Sequence, residues 1–190
     1  PWTIQDLAVS DDGTGLAATL VEDRSVFLHL EGPEELGRAQ LPGVIWDTRI
    51  SPSGRFASAT AVDSLVLLDR GVTRFQRLTE WRWTVNQDVS DRGEVLVSGQ
   101  YEDHRNQVRL RTADGVLLWE LDAEPHDNGW LPAPRFVFDD DHFWLRSRDY
   151  LTLYRIVGRD PGCVDAPQRL SRVAPLEGGE GTVFDNSIPL

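Results

Sequence analysis

Side chains of the kind that dominate protein–protein interfaces are concentrated in three short segments of the chain. Trp, Tyr and Arg are enriched at interface hot spots, where a few large anchors supply most of the binding energy. The residues are Trp81, Arg82, Trp83, Tyr101, His104, Arg105, His126 and Trp130. We interpret them as a surface that binds a protein or peptide partner. In the alternative, the Trp side chains fill the core while the Arg and His side chains face water.

The run from Asp139 to His142 has the residue types of a metal site. Hard cations prefer clustered carboxylates, but consecutive residues in a turn between strands cannot all point at one ion. Asp is also a common turn residue, because its side chain hydrogen-bonds the backbone two residues further on. The four His residues do not show metal-ligand spacing. We therefore predict a turn here, with no metal and no cofactor.

Motifs that would indicate catalysis are absent from the sequence. Cys163 lies in a Gly- and Pro-rich stretch with no His nearby in sequence, which argues against a thiol nucleophile. No Gly-x-Ser-x-Gly elbow, phosphate-binding loop or dinucleotide fingerprint is present. The 31 Asp and Glu residues are too many for one pair to stand out as acid and base. We predict a protein that is not an enzyme.

Composition and charge narrow the classes of partner. The chain has 190 residues, 40% of them hydrophobic, which is enough for one globular domain with a core. The net charge of −12 argues against binding to nucleic acid or to an anionic membrane surface. It suits a basic partner, the alternative being an acidic surface that only faces water. No apolar run approaches the roughly 20 residues that a membrane span needs.

A pattern of strand, tight turn and strand recurs along the chain. Its clearest copy runs from Ile50 to Asp69, where a Ser-Pro-Ser-Gly turn separates two runs of strand-forming residues. Ser10, Ser51, Ser90 and Phe138 occupy the same position in four such units, at steps of 41, 39 and 48 residues. A step near 40 to 45 residues that contains three or four short strands is typical of a β-propeller blade.

A Trp precedes each of the four repeated units. The four residues are Trp2, Trp46, Trp83 and Trp130. Large aromatic side chains at a repeated position usually fill the space between neighbouring units. We predict that these four residues belong to the core between blades.

The second unit, which contains SPSGRFASAT and then LVLLD, resembles a WD-repeat β-propeller blade. The first and third units carry weaker versions, VSDDGTGLAAT and VSDRGEVLVSG, and the Gly-His and Trp-Asp dipeptides of that family are missing. The end of the third unit, RTADGVLLWEL, resembles a quinoprotein-type repeat in which Trp119 is the docking Trp. The resemblance implies an all-β, β-propeller-like fold of about four blades, as a ring of its own or as part of a larger one.

The predicted blades cover residues 2–43, 44–82, 83–129 and 130–157, and residues 158–190 form a Gly- and Pro-rich segment with a closing strand as one option. In WD-like blades, the loops between blades lie on the same face as the loops between the second and third strands. The resemblance therefore implies that loops 80–83, 101–106 and 124–130 meet on one rim, which carries all eight candidate binding residues.

The leading hypothesis is a non-enzymatic β-propeller scaffold that binds a protein or peptide through this rim, as a subunit or domain of a larger assembly. One alternative is a propeller enzyme or cofactor-binding protein, quinoprotein-like or carbohydrate-active; another is a partial propeller completed by another chain. The sequence opens on Pro1 rather than Met, so we expect a piece of a larger protein. The use of Arg without Lys and the single Cys suggest a bacterial, cytoplasmic protein.

Overall fold

A computed structural model describes most of the chain. The described residues are 3–21, 25–42, 44–61, 64–78, 81–101, 105–123, 133–137, 139–146, 151–159, 167–175 and 182–185. They form strands and turns and no helix, which confirms the all-β prediction. Accordingly, no helix of this part of the chain is long and apolar enough to cross a membrane.

The first two sheets are antiparallel meanders of four strands, in which each strand pairs with the next along the chain. The strands of sheet 1 are β1 (Thr3–Val9), β2 (Gly15–Val21), β3 (Ser25–Glu31) and β4 (Glu34–Leu41). Those of sheet 2 are β5 (Ile45–Ile50), β6 (Phe56–Ala61), β7 (Ser64–Asp69) and β8 (Val72–Leu78). In both sheets a Gly lies in the turn between the first and second strands and in the turn between the third and fourth.

Sheets 3 and 4 repeat this order of strands. The strands of sheet 3 are β9 (Trp81–Val89), β10 (Val95–Tyr101), β11 (Asn106–Arg111) and β12 (Leu117–Asp122). Those of sheet 4 are β13 (Ala133–Val137), β14 (Asp139–Arg146), β15 (Leu151–Arg155), β16 (Gln168–Pro175) and β17 (Thr182–Asp185). The last two strands lie in residues 158–190, so sheet 4 continues beyond residue 157.

The prediction that residues 80–83 form a loop is wrong for residues 81–83. Trp81 begins β9, and its Cα partner across the sheet is Tyr101 at the end of β10. Aromatic residues favour strands because their side chains pack on the pleated surface. The long β10 offers them a partner up to its last residue, so the strand begins two residues before the predicted blade boundary.

The repeated Ser marks the same turn in sheets 1, 2 and 3. In each turn the backbone N–H of the Ser donates to the carbonyl of the first residue after the turn, and the Ser Oγ accepts the N–H of that residue. The pairs are Ser10 with Gly15, Ser51 with Phe56, and Ser90 with Glu94. The Ser therefore satisfies a turn amide that strand pairing would leave free. Phe138, the fourth predicted position, lies outside the described residues.

The sheets stack face to face, and each joint between two sheets is an apolar layer. Strands β6 and β7 of sheet 2 are buried on both faces, so alternate residues serve different joints. Val66 and Leu68 pack toward sheet 1, whereas Leu65 and Leu67 pack toward sheet 3. Between sheets 3 and 4, Trp119 stacks on Phe143 with 5.5 Å between the ring centroids. Trp119 is thus part of the core.

Candidate functional site

One end of the sheets carries the predicted binding segments. Because the strands are antiparallel and consecutive, the first strand of each sheet starts at the end where its second strand finishes. In sheet 3 this brings Trp81 of β9 opposite Tyr101 of β10, with Arg105 directly before β11. We call this end the rim: the starts of β1, β5 and β9, the end of β10, and Arg105.

The structure describes five of the eight predicted site residues. Trp81, Arg82 and Trp83 are the first three residues of β9, and Tyr101 is the last residue of β10. The side chain of Arg105 is exposed, and its Nη1 lies 3.9 Å from Oδ1 of the exposed Asp122. His104, His126 and Trp130 lie outside the described residues. Two of the three predicted segments therefore meet at the rim.

A β-bulge interrupts the first strand of sheets 1, 2 and 3 near the rim. The register skips one residue between Ile4 and Asp6, between Ile45 and Asp47, and between Trp81 and Trp83. Strand β9 also skips Val85, between Thr84 and Asn86, so the bulged residues are Gln5, Trp46, Arg82 and Val85. A bulge leaves one residue unpaired and re-aims its side chain, and bulges are enriched beside functional sites.

Trp46 corrects the prediction that the repeated Trp residues fill the core. Its side chain is 47% exposed, although Ile45 beside it is buried. The bulge removes Trp46 from the alternation that would have turned it toward the neighbouring sheet. The equivalent positions, five residues before the repeated Ser, hold Gln5 and Val85, so the repeat carries no sequence signal that Trp46 faces solvent. Trp2 and Trp130 lie outside the described residues, as does the side chain of Trp83.

Carboxylates on the first strands join neighbouring sheets. Asp6 Oδ2 accepts the backbone N–H of Thr48 at 2.7 Å, and Asp47 Oδ2 accepts that of Gln87 at 2.9 Å. Asp88 Oδ2 accepts the N–H of Phe136 at 2.7 Å. Hydrogen bonds to a charged acceptor are stronger than neutral ones, so each carboxylate fixes the next sheet in place.

Two guanidinium groups lie among these carboxylates. Arg49 Nη2 is 2.7 Å from Asp47 Oδ1, and Arg135 Nη1 donates to the carbonyl of Gln87 at 2.5 Å. Burial raises the pKa of Asp47 to about 6, outweighing the attraction of Arg49. Burial also raises the pKa of Asp88 and lowers the pKa of Arg135. Asp47 can take up a proton near pH 6, but both of its oxygens are already bound within the joint.

The Asp139–His142 segment lies at the end opposite the rim and forms the first half of β14. Asp139 Oδ1 accepts the N–H of Asp141 and contacts His142 Nδ1, each at 2.8 Å. The hydrogen bond with His142 holds the pKa of Asp139 below its usual value. The prediction of a turn over residues 139–142 is wrong, because β14 already begins at Asp139, which pairs with Val137 across the sheet. In the described part of the chain, no group of three or more His, Cys, Asp or Glu residues is placed to hold a metal ion.

Comparisons with known proteins identify the fold. No protein-family model and no curated protein sequence matches the chain. Solved structures resemble it at low sequence identity. The β-propeller domain of Cps50 (Swd1) from Myceliophteria thermophila has a TM-score of 0.61 and 9% identity, over 90% of this chain and 60% of that one. The WD40 domain of Toxoplasma gondii coronin has a TM-score of 0.59 and 11% identity, over 90% and 46%.

BamB from Moraxella catarrhalis is a third similar structure, with a TM-score of 0.59 and 14% identity, over 97% of this chain and 61% of that one. The chain thus spans less than two thirds of the length of these three proteins. Four stacked antiparallel sheets and these neighbours confirm the prediction of a β-propeller fold with WD-repeat-like blades. Likeness at this level of identity concerns the fold alone.

Proposed function

We propose that the protein is a non-enzymatic recognition module that binds a protein or peptide partner through the rim. The observation that carries this proposal is the exposure of Trp46 on its bulge, at the same end as Arg82, Tyr101 and Arg105. An exposed Trp at the same end of the sheets as Arg residues has the composition of an interface hot spot. Rigid display also limits the side-chain entropy lost on binding.

The charge of the molecule favours a basic partner. A net charge of −12 attracts cationic peptides and raises their association rate at low ionic strength. The rim itself carries the exposed Asp122 beside Arg105. A partner that combines an aromatic or apolar anchor with Arg or Lys residues would satisfy both features.

We propose a function without catalysis because the carboxylates of the first strands already make hydrogen bonds between sheets. Asp6, Asp47 and Asp88 each accept a backbone N–H of the next sheet. Groups bound in this way act as links between sheets, and releasing them for proton transfer would open the joint.

The test begins by selecting binding peptides from a random peptide library displayed against the purified chain. The Kd of each selected peptide is then measured for the parent chain and for Trp46→Ala and Arg105→Ala. We expect each substitution to weaken binding by about tenfold or more, because loss of a hot-spot side chain typically costs 2 kcal/mol or more.

The matched control is Val72→Ala, which truncates a 66% exposed apolar side chain at the opposite end of sheet 2. This variant should keep full affinity. The proposal is wrong if the peptides bind Trp46→Ala and Arg105→Ala as tightly as the parent while circular dichroism shows an intact fold. Loss of binding with Val72→Ala alone would assign recognition to the opposite end.

A further inference from the structure

Sheet 1 has a second apolar face that no other sheet described here covers. Phe27 and His29 of β3 face sheet 2 and are fully buried. Because strand residues alternate, the residues between them face the other way. This outer face carries Leu7, Val9, Leu16, Leu20, Leu28 and Leu30, together with the buried Ala18 and Val26. Leu7 is 51% exposed and Val9 is 53% exposed.

The repeat shows that these positions are buried wherever a sheet precedes them. Val9 directly precedes the repeated Ser, as Ile50 and Val89 do in sheets 2 and 3. Ile50 is 9% exposed and Val89 is 1% exposed, because each packs into the joint with the preceding sheet. The outer face of sheet 1 is therefore built like one side of a joint.

The backbone of β1 also has an N–H at the position where β5 and β9 donate to a carboxylate of the preceding sheet. Asp6 accepts the N–H of Thr48, and Asp47 accepts that of Gln87, in each case three residues before the repeated Ser. The equivalent amide in sheet 1 is the N–H of Leu7. It donates at 2.9 Å to Oδ1 of its own neighbour Asp6, in an exposed contact.

The turns add a second link of the same kind. The backbone N–H of Ser53 donates to Asp91 Oδ1 at 2.8 Å, and the N–H of Asp91 donates to Asp140 Oδ1 at 3.2 Å. The turns of sheets 2 and 3 thus donate to a carboxylate of the following sheet, whereas the turn of sheet 1 donates the Asp11 N–H to the carbonyl of Pro52 at 3.0 Å. Asp11 follows Ser10 as Asp91 follows Ser90, and its side chain is exposed. Sheet 1 can therefore make both kinds of hydrogen bond with a preceding sheet, one through the Leu7 N–H and one through the Asp11 carboxylate.

We propose that the outer face of sheet 1 binds one blade of a partner protein, a four-stranded antiparallel sheet with an Asp or Glu on its innermost strand. The apolar residues match the joints inside the molecule, and the Leu7 N–H and the Asp11 carboxylate match their hydrogen bonds. A second copy of this chain fits less well, because its far sheet begins with β13, and Ala133–Val137 contains no carboxylate. The proposal does not involve the rim.

The experiment supplies a blade of the required chemistry by placing a second copy of residues 44–80 directly before Thr3. This segment contains sheet 2, with Asp47 and the apolar residues that already cover sheet 3. Hydrogen exchange of the Leu7 amide is compared between the extended and the parent chain. We expect exchange to slow by about tenfold or more in the extended chain. Asp47→Ala in the added copy alone should reverse that protection.

Val9→Glu tests the apolar part of the joint. It should leave the unfolding midpoint of the parent chain unchanged and lower that of the extended chain by several degrees. The proposal is overturned if the added sheet is protected from exchange while Leu7 exchanges at its original rate and Val9→Glu has no effect. Light scattering that shows a dimer of the parent chain, with Leu7 protected, would also overturn it, because the occupant would then be a second copy.

Where the added copy of sheet 2 shows no protected amides of its own, residues 81–132, which carry Asp88 and sheet 3, replace it before Thr3. Sheet 3 has Asn86 at the position of Asp47, so for this second extended chain we expect slower exchange of the β1 amides as a group and a lower unfolding midpoint with Val9→Glu. The proposal is overturned if neither extended chain slows the exchange of the β1 amides.

Discussion

The imidazole of His29 is buried at the joint between sheets 1 and 2. Its Nδ1 accepts the backbone N–H of Gly71 at 3.1 Å, so the ring proton is on Nε2, which lies 2.8 Å from the carbonyl of Gly54. Burial lowers the pKa of His29, although the hydrogen bond with Gly54 favours the protonated ring. One neutral side chain thus holds two turns of the neighbouring sheet.

This geometry predicts an acid-sensitive joint. A pKa that is lower in the folded than in the unfolded state stabilises the protein above the unfolded value, near 6.5, and this stabilisation is lost as pH falls through the folded value. His29→Gln should remove that loss and lower the free energy of unfolding at pH 8 by about 1–3 kcal/mol. Urea unfolding of both proteins at a series of pH values measures the difference.

The control for this prediction is His142→Gln, since His142 lies in sheet 4, away from the joint between sheets 1 and 2, and contacts Asp139. It should keep the acid sensitivity of the parent chain below pH 6.5. Equal pH dependence of His29→Gln and the parent chain would contradict the assignment.

Asp47 should produce the opposite trend over a lower range of pH. Its pKa is about 6 in the folded protein and near 3.8 in the unfolded chain, so the folded state binds the proton first. The stabilisation from this site is fully present below about pH 4 and is lost as pH rises through 6. A shift of this size corresponds to roughly 3 kcal/mol at most. We expect Asp47→Asn to lack this trend in urea unfolding between pH 4 and 7.

A variant at an exposed carboxylate separates this effect from general charge. Asp114→Asn removes an exposed acid that pairs with the exposed Arg74. It should leave the slope between pH 4 and 7 as in the parent chain. If Asp47→Asn behaves like Asp114→Asn, the buried carboxylate is not the titrating group.

At the scale of the elements, the joint between sheets 1 and 2 depends on two glycines in contact. A Cβ at Gly37 in β4 would collide with the carbonyl oxygen of Gly71, in the turn between β7 and β8. Backbone cannot move aside as a flexible side chain can, so the sheets would have to separate. The close approach also places Gly71 where its N–H reaches His29.

Gly37→Ala should therefore cost several kcal/mol of stability, at the upper end of single substitutions. The comparison is Gly32→Ala, where no atom lies within 4 Å of the new Cβ but the backbone φ is +54°. That variant pays only backbone strain, of order 1 kcal/mol. Both free energies are measured by urea unfolding at pH 8. Equal losses of stability in the two variants would show that the backbone at the joint can shift to accommodate the new Cβ.

At the scale of the whole molecule, the protection of a sheet's amides from hydrogen exchange should increase with the number of its faces that another sheet covers. Sheet 2 is buried on both faces, whereas the outer face of sheet 1 is exposed. In stacked repeats, stability is nearly a sum over units and their neighbours, so an end unit opens more easily. We expect the amides of β6 and β7 to exchange at least about tenfold more slowly than those of β1.

Sheet 3 provides the comparison within the same experiment. Val97 packs toward sheet 2 and Leu96 toward sheet 4, so β10 is covered on both faces. Its amides should exchange as slowly as those of β6. A uniform rate over sheets 1, 2 and 3 would instead show that the stack opens as one cooperative unit.

The candidate site was predictable where local chemistry decides, and unpredictable where strand register does. The convergence of residues 81–83 with Tyr101 and Arg105 follows from the meander order of the strands. The exposure of Trp46 does not, because the bulge at this residue depends on pairing with β6 rather than on the sequence of β5 alone. Pairing with β10 likewise makes residues 81–83 part of a strand.

The sequence by itself determined the strands, the turns and their repetition. Ser51 and Gly54 satisfy the backbone of a tight turn locally, and alternating apolar residues specify a strand wherever they occur. The tertiary structure alone decided which equivalent residues are buried. Val9 and Ile50 occupy the same position in their units, yet one is 53% and the other 9% exposed. Burial depends on whether another sheet lies against a residue, and residues distant in sequence supply that sheet.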